Sequence, residues 1–375
     1  MFRPFRQHHI LTILEGYDLQ TLPLDVYLRD YFRLNKAIGS KDRGYIAEIS
    51  YGMMRWKGLL DFLCSSPDWE SRLDTFLDPS FQQASQRTDI PDPIRVSFPK
   101  DLFDCITASH GLEKAREICL TSNHQAPTTI RVNSLKTTRE EMLSKWNGVY
   151  NVSPCKFSSH GIVFHRRENF FAMPEFKAGL FEVQDEGSQL LANLIKANPG
   201  DLVMDYCAGS GGKTLAFAPN MQNRGQIYLH DIRKRVLLDC RKRLRRAGIQ
   251  NAQPVHAEDD KLKKLKKKMD WVFVDAPCTG TGTLRRNPDI KWKFDLPLLQ
   301  RIQGQQRTIF EKALSFLKPG GRIIYSTCSI LKEENQDQIA HFMKTYDLEL
   351  VEEVFESLPV PNGMDGFYGA SFCKS

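Results

Sequence analysis

The spacing of hydrophobic positions changes along this chain. Over residues 10–75 it is helical. Ile46, Ile49, Met53, Trp56, Leu60 and Leu63 recur at alternating three- and four-residue steps, the period of one buried helix face. Ser40 stands where the N-cap of that helix is expected, since its hydroxyl can accept from an unpaired first-turn amide. From Asp78 to Pro99 the pattern breaks. Pro79, Pro91, Pro93 and Pro99 fall among Ser, Gln, Asp and Thr, which reads as a linker. Residues 100–175 predict a small mixed α/β unit. Its elements are a helix over Leu102–Asn123, a strand over Thr128–Asn133, a helix near Thr138–Trp146 and a short strand near Gly161–Phe164.

From about Phe176 the chain becomes regular. Apolar-rich runs at Leu202–Tyr206, Gln226–His230, Gln253–His256, Trp271–Val274 and Arg322–Ser326 alternate with helical segments. Short runs with helices between them predict a parallel sheet covered on both faces, a doubly wound α/β fold. The tail, Leu348–Phe355 and Phe367–Cys373, predicts an antiparallel hairpin at one edge. The expected organisation is a helical region over 1–78, a linker over 79–99, the mixed unit over 100–175 and the α/β domain over 176–375. No internal repeat interrupts it.

Composition narrows the class. With 375 residues, 41% hydrophobic and 26% charged, the chain is neither a disordered tail protein, a fibre nor a disulfide mini-protein. No run of about 18 apolar residues predicts a membrane span. The start, Met1 to His9, lacks the long apolar core of a signal peptide, so a reducing compartment, the cytoplasm, is expected. The nine cysteines are scattered and form no CxxC pair, so neither a disulfide framework nor a zinc site is expected. The net charge of +7 leans toward a polyanionic partner. Basic residues cluster at Arg233–Arg246, Lys261–Lys268 and Arg285–Lys293. Each cluster reads either as a solvated face or as a phosphate-binding surface.

Five strand ends carry candidate chemistry. Asp205-Tyr206-Cys207-Ala208-Gly209-Ser210-Gly211-Gly212-Lys213-Thr214 follows a predicted strand and opens a helix, where glycines let backbone approach a ligand. It is not a P-loop, because Cys207 replaces the first glycine of that motif. Nor is it a dinucleotide fingerprint, because Thr214 replaces the last. A glycine-rich nucleoside-binding turn remains. Asp231 ends the next strand and reads as a ribose-binding acid or as a helix N-cap. Asp259 follows the third strand and is a candidate for the base pocket, beside Glu258 and Asp260. Asp275-Ala276-Pro277-Cys278-Thr279-Gly280 and Tyr325-Ser326-Thr327-Cys328-Ser329 put a cysteine just past each of two successive strands, at the sheet edge where such folds bind ligands.

A single strand-end cysteine is usually a small buried hydrophobe. Two above a nucleoside turn fit a specific chemistry. Carbon 5 of a pyrimidine is a poor nucleophile. A thiolate that adds to carbon 6 turns the ring into an enamine, whose carbon 5 attacks an activated methyl group. A proton or strong hydrogen bond at ring nitrogen 3 helps the addition, and Asp275 is the candidate for that contact. A second thiol, Cys278, is the candidate that assists removal of the carbon 5 proton and release. The attacking thiol needs electropositive surroundings, for which Lys213 is available.

The sequence resembles the RNA cytosine-5 methyltransferases of the bacterial Sun/Fmu type over roughly residues 100–375. The resemblance rests on Arg131-Val132-Asn133, Gln184–Gln189, the Asp205–Thr214 turn and Asp275–Gly282. It continues through Arg285-Arg286-Asn287-Pro288-Asp289-Ile290-Lys291-Trp292, Tyr325–Ser329 and Asp365–Tyr368. It implies a seven-stranded, mostly parallel methyltransferase sheet and S-adenosylmethionine as cofactor. It also implies an RNA substrate, ribosomal rather than transfer; a monomer is assumed, and no metal is expected. By the same resemblance Cys328 is the nucleophile, Cys278 the release cysteine and Asp275 the cytosine contact beside the donor. Cys207 to Lys213 with Asp231 and Asp259 form the donor site. Arg285, Arg286, Asn287, Lys291, Trp292 and Arg131 are implied RNA contacts. Two departures stand out. Gly209-Ser210 replaces the Ala-Pro usual in the turn, and the helical region before the mixed unit is shorter than the family's usual N-terminal RNA-binding domain. DNA cytosine methyltransferases are set aside, because Pro277-Cys278 is followed by Thr279 and a second cysteine follows the next strand. A catalytically silent RNA-binding factor would not need both thiols, and a methyltransferase for amine or oxygen acceptors would not need Cys328.

Overall fold

The computed structural model describes residues 3–19, 22–256 and 258–374. The chain forms two compact units. One runs to Gln125 and takes in Thr279–Leu299, and the other holds Ala126–Cys278 and the chain from Gln300 onward.

The first unit is helical. Its longest helix, Ser40–Leu63, buries Ile46, Met53 and Leu60 completely, while Ile49, Trp56 and Leu63 pack partly buried against the same core. The predicted face is therefore the buried one. Ser40 is not the cap. Gly39 occupies that position in extended conformation, Ser40 is the first helical residue, and no side chain caps the helix. The helix expected over Leu102–Asn123 is two, Lys100–His110 and Leu112–Ser122, because Gly111 takes a φ of 81° between them. The stretch expected as a linker instead carries short helices at Phe81–Ala84 and Asp92–Arg95 and buries Ile90, Val96 and Phe98. Its apolar residues, spaced between the prolines, are what tie it down. Two of its polar groups are bonded into the unit: Ser97 Oγ accepts from Gly58 N–H at 2.9 Å, and Asn123 Nδ2 donates to the Val96 carbonyl at 2.6 Å.

The second unit contains two sheets. Strands β1 (Thr128–Val132), β2 (Val152–Pro154), β3 (Gly161–Phe164) and β4 (Phe181–Val183) form an antiparallel sheet in the order β2-β3-β1-β4. The helix Arg139–Trp146 covers it. Thr138 and Glu141 close a capping box at its start, and buried Trp146 packs edge-on against Phe164 and Phe181.

The larger sheet is built from β5 (Leu202–Asp205), β6 (Gln226–Leu229), β7 (Ala252–Pro254), β8 (Met269–Asp275), β9 (Leu317–Thr327), β10 (Leu348–Leu350), β11 (Phe355–Ser357) and β12 (Phe367–Lys374). Seven of them run β10-β12-β9-β8-β5-β6-β7, and the short β11 makes an eighth by pairing with β12. The strands β5 to β9 pair in parallel, while β12 lies antiparallel between β9 and β10. All five predicted runs are strands. The tail is antiparallel as expected, but two three-residue strands, β10 and β11, pair with the eight-residue β12 in place of a single hairpin. Each face of the sheet is buried. One core holds Val272, Val274, Phe310, Tyr325 and Phe342, and the other holds Val203, Phe217, Ile227, Leu237 and Phe273. This two-sided burial is why the strands read as continuous apolar runs rather than alternating ones. From β5 the chain winds outward through β6 and β7, then returns to place β8 on the other side. The reversal leaves a crevice at the carboxyl ends of β5 and β8.

Candidate active site

The glycine turn follows β5 into this crevice. Gly209 and Gly211 take φ of 52° and 81°, and a Cβ at Gly211 would lie 2.5 Å from Cys240 Sγ, so glycine is required there. Side chains fix the turn from three sides. Asp231 Oδ2 accepts from Gly209 N–H at 2.9 Å. Arg243 donates to Ser210 Oγ and to the Ser210 carbonyl. Gln184 and Arg131 donate to the Gly212 carbonyl. The Gly-Lys-Thr end of the turn is not used as in a P-loop. Lys213 Nζ donates to Asp275 Oδ2 at 2.7 Å, and Thr214 Oγ1 to Asp205 Oδ2 at 2.5 Å. Burial disfavours the Lys213 ammonium, but Asp275 outweighs it and Cys328 adds to the effect. The group is held above the usual lysine range and stays charged.

Between the turn, β6 and β8 lies a cavity of about 420 Å³, lined by Tyr206, Cys207, His230, Asp231, Ile232, Arg233, Asp275, Pro277, Ile309 and Lys312. Asp231 sits at the end of β6. Burial works against its charge, yet bonds from Arg233 and from Gly209 N–H hold its carboxyl below the usual range. Ile232 beside it is 85% exposed, an apolar wall without a covering side chain.

The two cysteine loops meet next to this cavity. Strands β8 and β9 are parallel neighbours with Asp275 opposite Ser326, so the loops that leave them start side by side. Cys278 Sγ and Cys328 Sγ lie 3.3 Å apart. Ser326 Oγ donates to Asp275 Oδ1 at 3.1 Å, so Asp275 is held between Lys213 and the strand that leads to Cys328. No disulfide joins any of the nine cysteines.

Other expected site residues lie elsewhere. Asp259 is exposed and its carboxylate accepts from His256 N–H at 2.8 Å; it does not line the cavity. Arg131 is only 4% exposed, bonds to Gln184 and the Gly212 carbonyl, and is lowered to about 10 chiefly by burial. It braces the turn from β1 and does not face solvent. In the helical unit, Arg285 and Lys291 are buried, at 2% and 1%. Lys291 Nζ donates to the Arg55 carbonyl and to Asn123 Oδ1, lies over the Phe98 ring, and is pushed well below the usual lysine range by burial. Trp292 Nε1 donates to the Met54 carbonyl. Arg286 and Asn287 are part-exposed. Tyr206 and Pro277 lay within motifs legible in the sequence, whereas His230, Ile232, Ile309 and Lys312 were not singled out. An apolar Ile232 directly after the strand-end acid was a local signal, whereas Ile309 and Lys312 come from a distant helix and left none.

Residues 192–373 match the family described as 16S rRNA methyltransferase RsmB/F, and residues 98–170 match the ferredoxin-like domain of RsmF/B-like methyltransferases. The ribosomal RNA small subunit methyltransferase B of Pseudomonas syringae pv. tomato is 30% identical over 304 residues, covering 76% of this chain and 67% of that protein. The chain belongs to the RsmB/F family. It spans about two thirds of the length of the curated RsmB/F relatives it matches. A more distant relative is the 26S rRNA (cytosine-C(5))-methyltransferase nsun-1 of Caenorhabditis elegans. It is 32% identical over 241 residues, 61% of this chain and 36% of that one. The crystal structure of PH0851 matches the whole of this RsmB/F chain, with 100% of both chains covered, a TM-score of 0.82 and 25% identity. A methyltransferase homolog protein from Pyrococcus horikoshii matches 76% of this chain with a TM-score of 0.66 and 28% identity, so the methyltransferase fold expected from the sequence is borne out, with eight strands in place of seven. Among the described residues no helix is long and apolar enough to cross a membrane.

Proposed function

We propose that this chain transfers the methyl group of S-adenosylmethionine to carbon 5 of a cytosine in RNA, with one of its own sulfurs bonded transiently to the base. The observation that carries this reading is the thiol pair: two sulfurs 3.3 Å apart, beside the Lys213–Asp275 ion pair and next to the cavity. The cavity suits the donor. Ile232, Pro277 and Ile309 offer an apolar wall to an adenine face, Asp231 offers a carboxylate to ribose hydroxyls, and the glycine turn brings backbone close. When bound there, the donor supplies an electrophilic methyl group.

The chain's own residues do the rest. Lys213, kept charged by Asp275, interacts electrostatically with Cys328, whose sulfur adds to carbon 6 of the cytosine as its proton is lost. As the addition proceeds, the proton given up by the Cys328 thiol is passed by way of the Asp275 carboxylate to ring nitrogen 3, and it returns the same way when Cys328 leaves. Cys278 takes the carbon 5 proton after methylation, and Cys328 leaves. The target atom is inaccessible within a stacked helix, so the base is taken unpaired or flipped. The relatives' names favour ribosomal over transfer RNA as substrate, and we place the chain in the cytoplasm on the sequence reading alone.

The reading is tested by three substitutions assayed on purified protein with total RNA. Cys328→Ala is expected to abolish methylation and keep donor binding; undiminished turnover would remove the covalent mechanism. Cys278→Ala is expected to accumulate a protein–RNA adduct that resists denaturing gels, and normal release would refute its role. Asp275→Ala is expected to lose activity while the fold survives. Mapping 5-methylcytosine in total RNA with and without the gene identifies the target.

A further inference from the structure

We infer that Gln306 and Glu334 are positioning residues that lock the two cysteine loops to each other. The inference rests on the covalent reading above. Gln306, on the helix Leu296–Leu314, and Glu334, between β9 and the helix Gln336–Tyr346, are both fully buried. Gln306 Nε2 donates to the Pro277 carbonyl at 3.1 Å, one residue before Cys278, and to Glu334 Oε1 at 3.0 Å. The other oxygen of Glu334 accepts from Ser329 Oγ at 2.5 Å, one residue after Cys328. A hydrogen-bonded path thus runs from one thiol loop to the other through two side chains. It is fixed in turn. Gln338 Nε2 donates to Gln306 Oε1 at 2.8 Å, the Ser329 hydroxyl accepts from Leu331 N–H at 3.1 Å, and Asn335 Nδ2 donates to the Ser329 carbonyl at 2.9 Å.

The chemistry gives this path its purpose. One sulfur must add to carbon 6, and the other must then reach the proton on the adjacent carbon 5. The sulfurs sit on separate loops, and β8 and β9 set only where those loops begin. Sub-ångström errors in their separation slow the second step more than the first, because that step needs both sulfurs at one ring. Buried groups carrying charge bond more strongly than exposed ones and hold a narrow geometry. Glu334 and Gln306 touch neither substrate nor donor; they act through the loops.

The test compares the wild type with Gln306→Leu, which keeps volume and helix propensity but removes all three side-chain bonds, to Pro277, to Glu334 and from Gln338. Assayed on RNA with ordinary cytosine, Gln306→Leu is expected to lower kcat about tenfold, leave KM for the donor within twofold, and accumulate the covalent adduct as Cys278→Ala does. A lost fold would lower both without an adduct. Glu334→Gln, which retains shape and one acceptor oxygen, is the second variant and is expected to give a smaller accumulation of the same species. Wild-type kcat with no adduct in the folded variants overturns the inference, as does a loss of activity with no adduct. If Cys278→Ala itself gives no adduct, the covalent reading falls and the inference with it. If Cys278→Ala traps RNA and Gln306→Leu does not, only the positioning role is lost.

Discussion

Asp205 ends β5 beneath the site and is 1% exposed. Its Oδ2 accepts from Thr214, whereas Oδ1 meets no donor. Burial pushes its carboxyl up to about 7. The Thr214 bond opposes this, and the Asp275 charge adds to it. The unfolded value is 3.8, so between about pH 4 and pH 7 the folded chain holds a proton that the unfolded chain has released. Stability from this residue is therefore present at the acid end and lost as pH rises through 7. Asp205→Asn keeps an acceptor for Thr214 and removes the titration. Its denaturation midpoint relative to wild type is expected to climb steadily from pH 4.5 to 7.5. A pH-independent difference would show that Asp205 is ionised throughout.

Elements show where the sequence speaks and where it is silent. The strands β5, β6, β8 and β9 were legible because burial on both faces makes them apolar throughout, and the cysteine pair was legible because parallel neighbours bring their carboxyl ends together. The 285–293 segment was not. Its charges suggested a solvated, RNA-facing loop, yet a lysine can bury its stem against aromatic rings when carbonyls take its ammonium, as Phe98, Arg55 and Asn123 do for Lys291. Nothing in the local pattern names such distant partners. The helix break at Gly111 and the two short helices within 79–99 were likewise hidden, because elements of four residues carry no readable period. Lys291→Met follows from this placement. Buried Lys291 gives up its proton well below 10.5, so its contribution to stability rises with pH up to the unfolded value. The variant is expected to lose that alkaline rise while the salt dependence of RNA binding stays unchanged. A shallower salt slope would place Lys291 on a phosphate.

For the whole molecule the relevant quantity is the net charge of +7 and where it is exposed. In the second unit, the helix Lys234–Ala247 follows β6, and Asp260–Lys264 with Lys266, Lys267 and Lys268 follows β7. Part of this charge is spent internally. Lys234 pairs with Glu258, Lys242 with Asp239 and Lys263 with Asp260. Such exposed pairs add little to stability. Arg235, Arg241 and Arg245 on the helix after β6, and Lys264, Lys266 and Lys268 in the stretch between β7 and β8, also stand exposed. A substrate RNA neutralised by them releases counterions, and log K falls with log salt by about 0.7–0.9 for each phosphate engaged. Lys264→Glu, Lys266→Glu and Lys268→Glu, combined in one protein, are therefore expected to weaken RNA binding at low salt. They should also flatten the salt slope by up to about 2, while donor affinity is unchanged because none of the three lines the cavity. Titration of fluorescent RNA at four salt concentrations measures both quantities. An unaltered slope would show that these lysines only keep the protein in solution, and the phosphate contacts would then have to come from other cations of the chain.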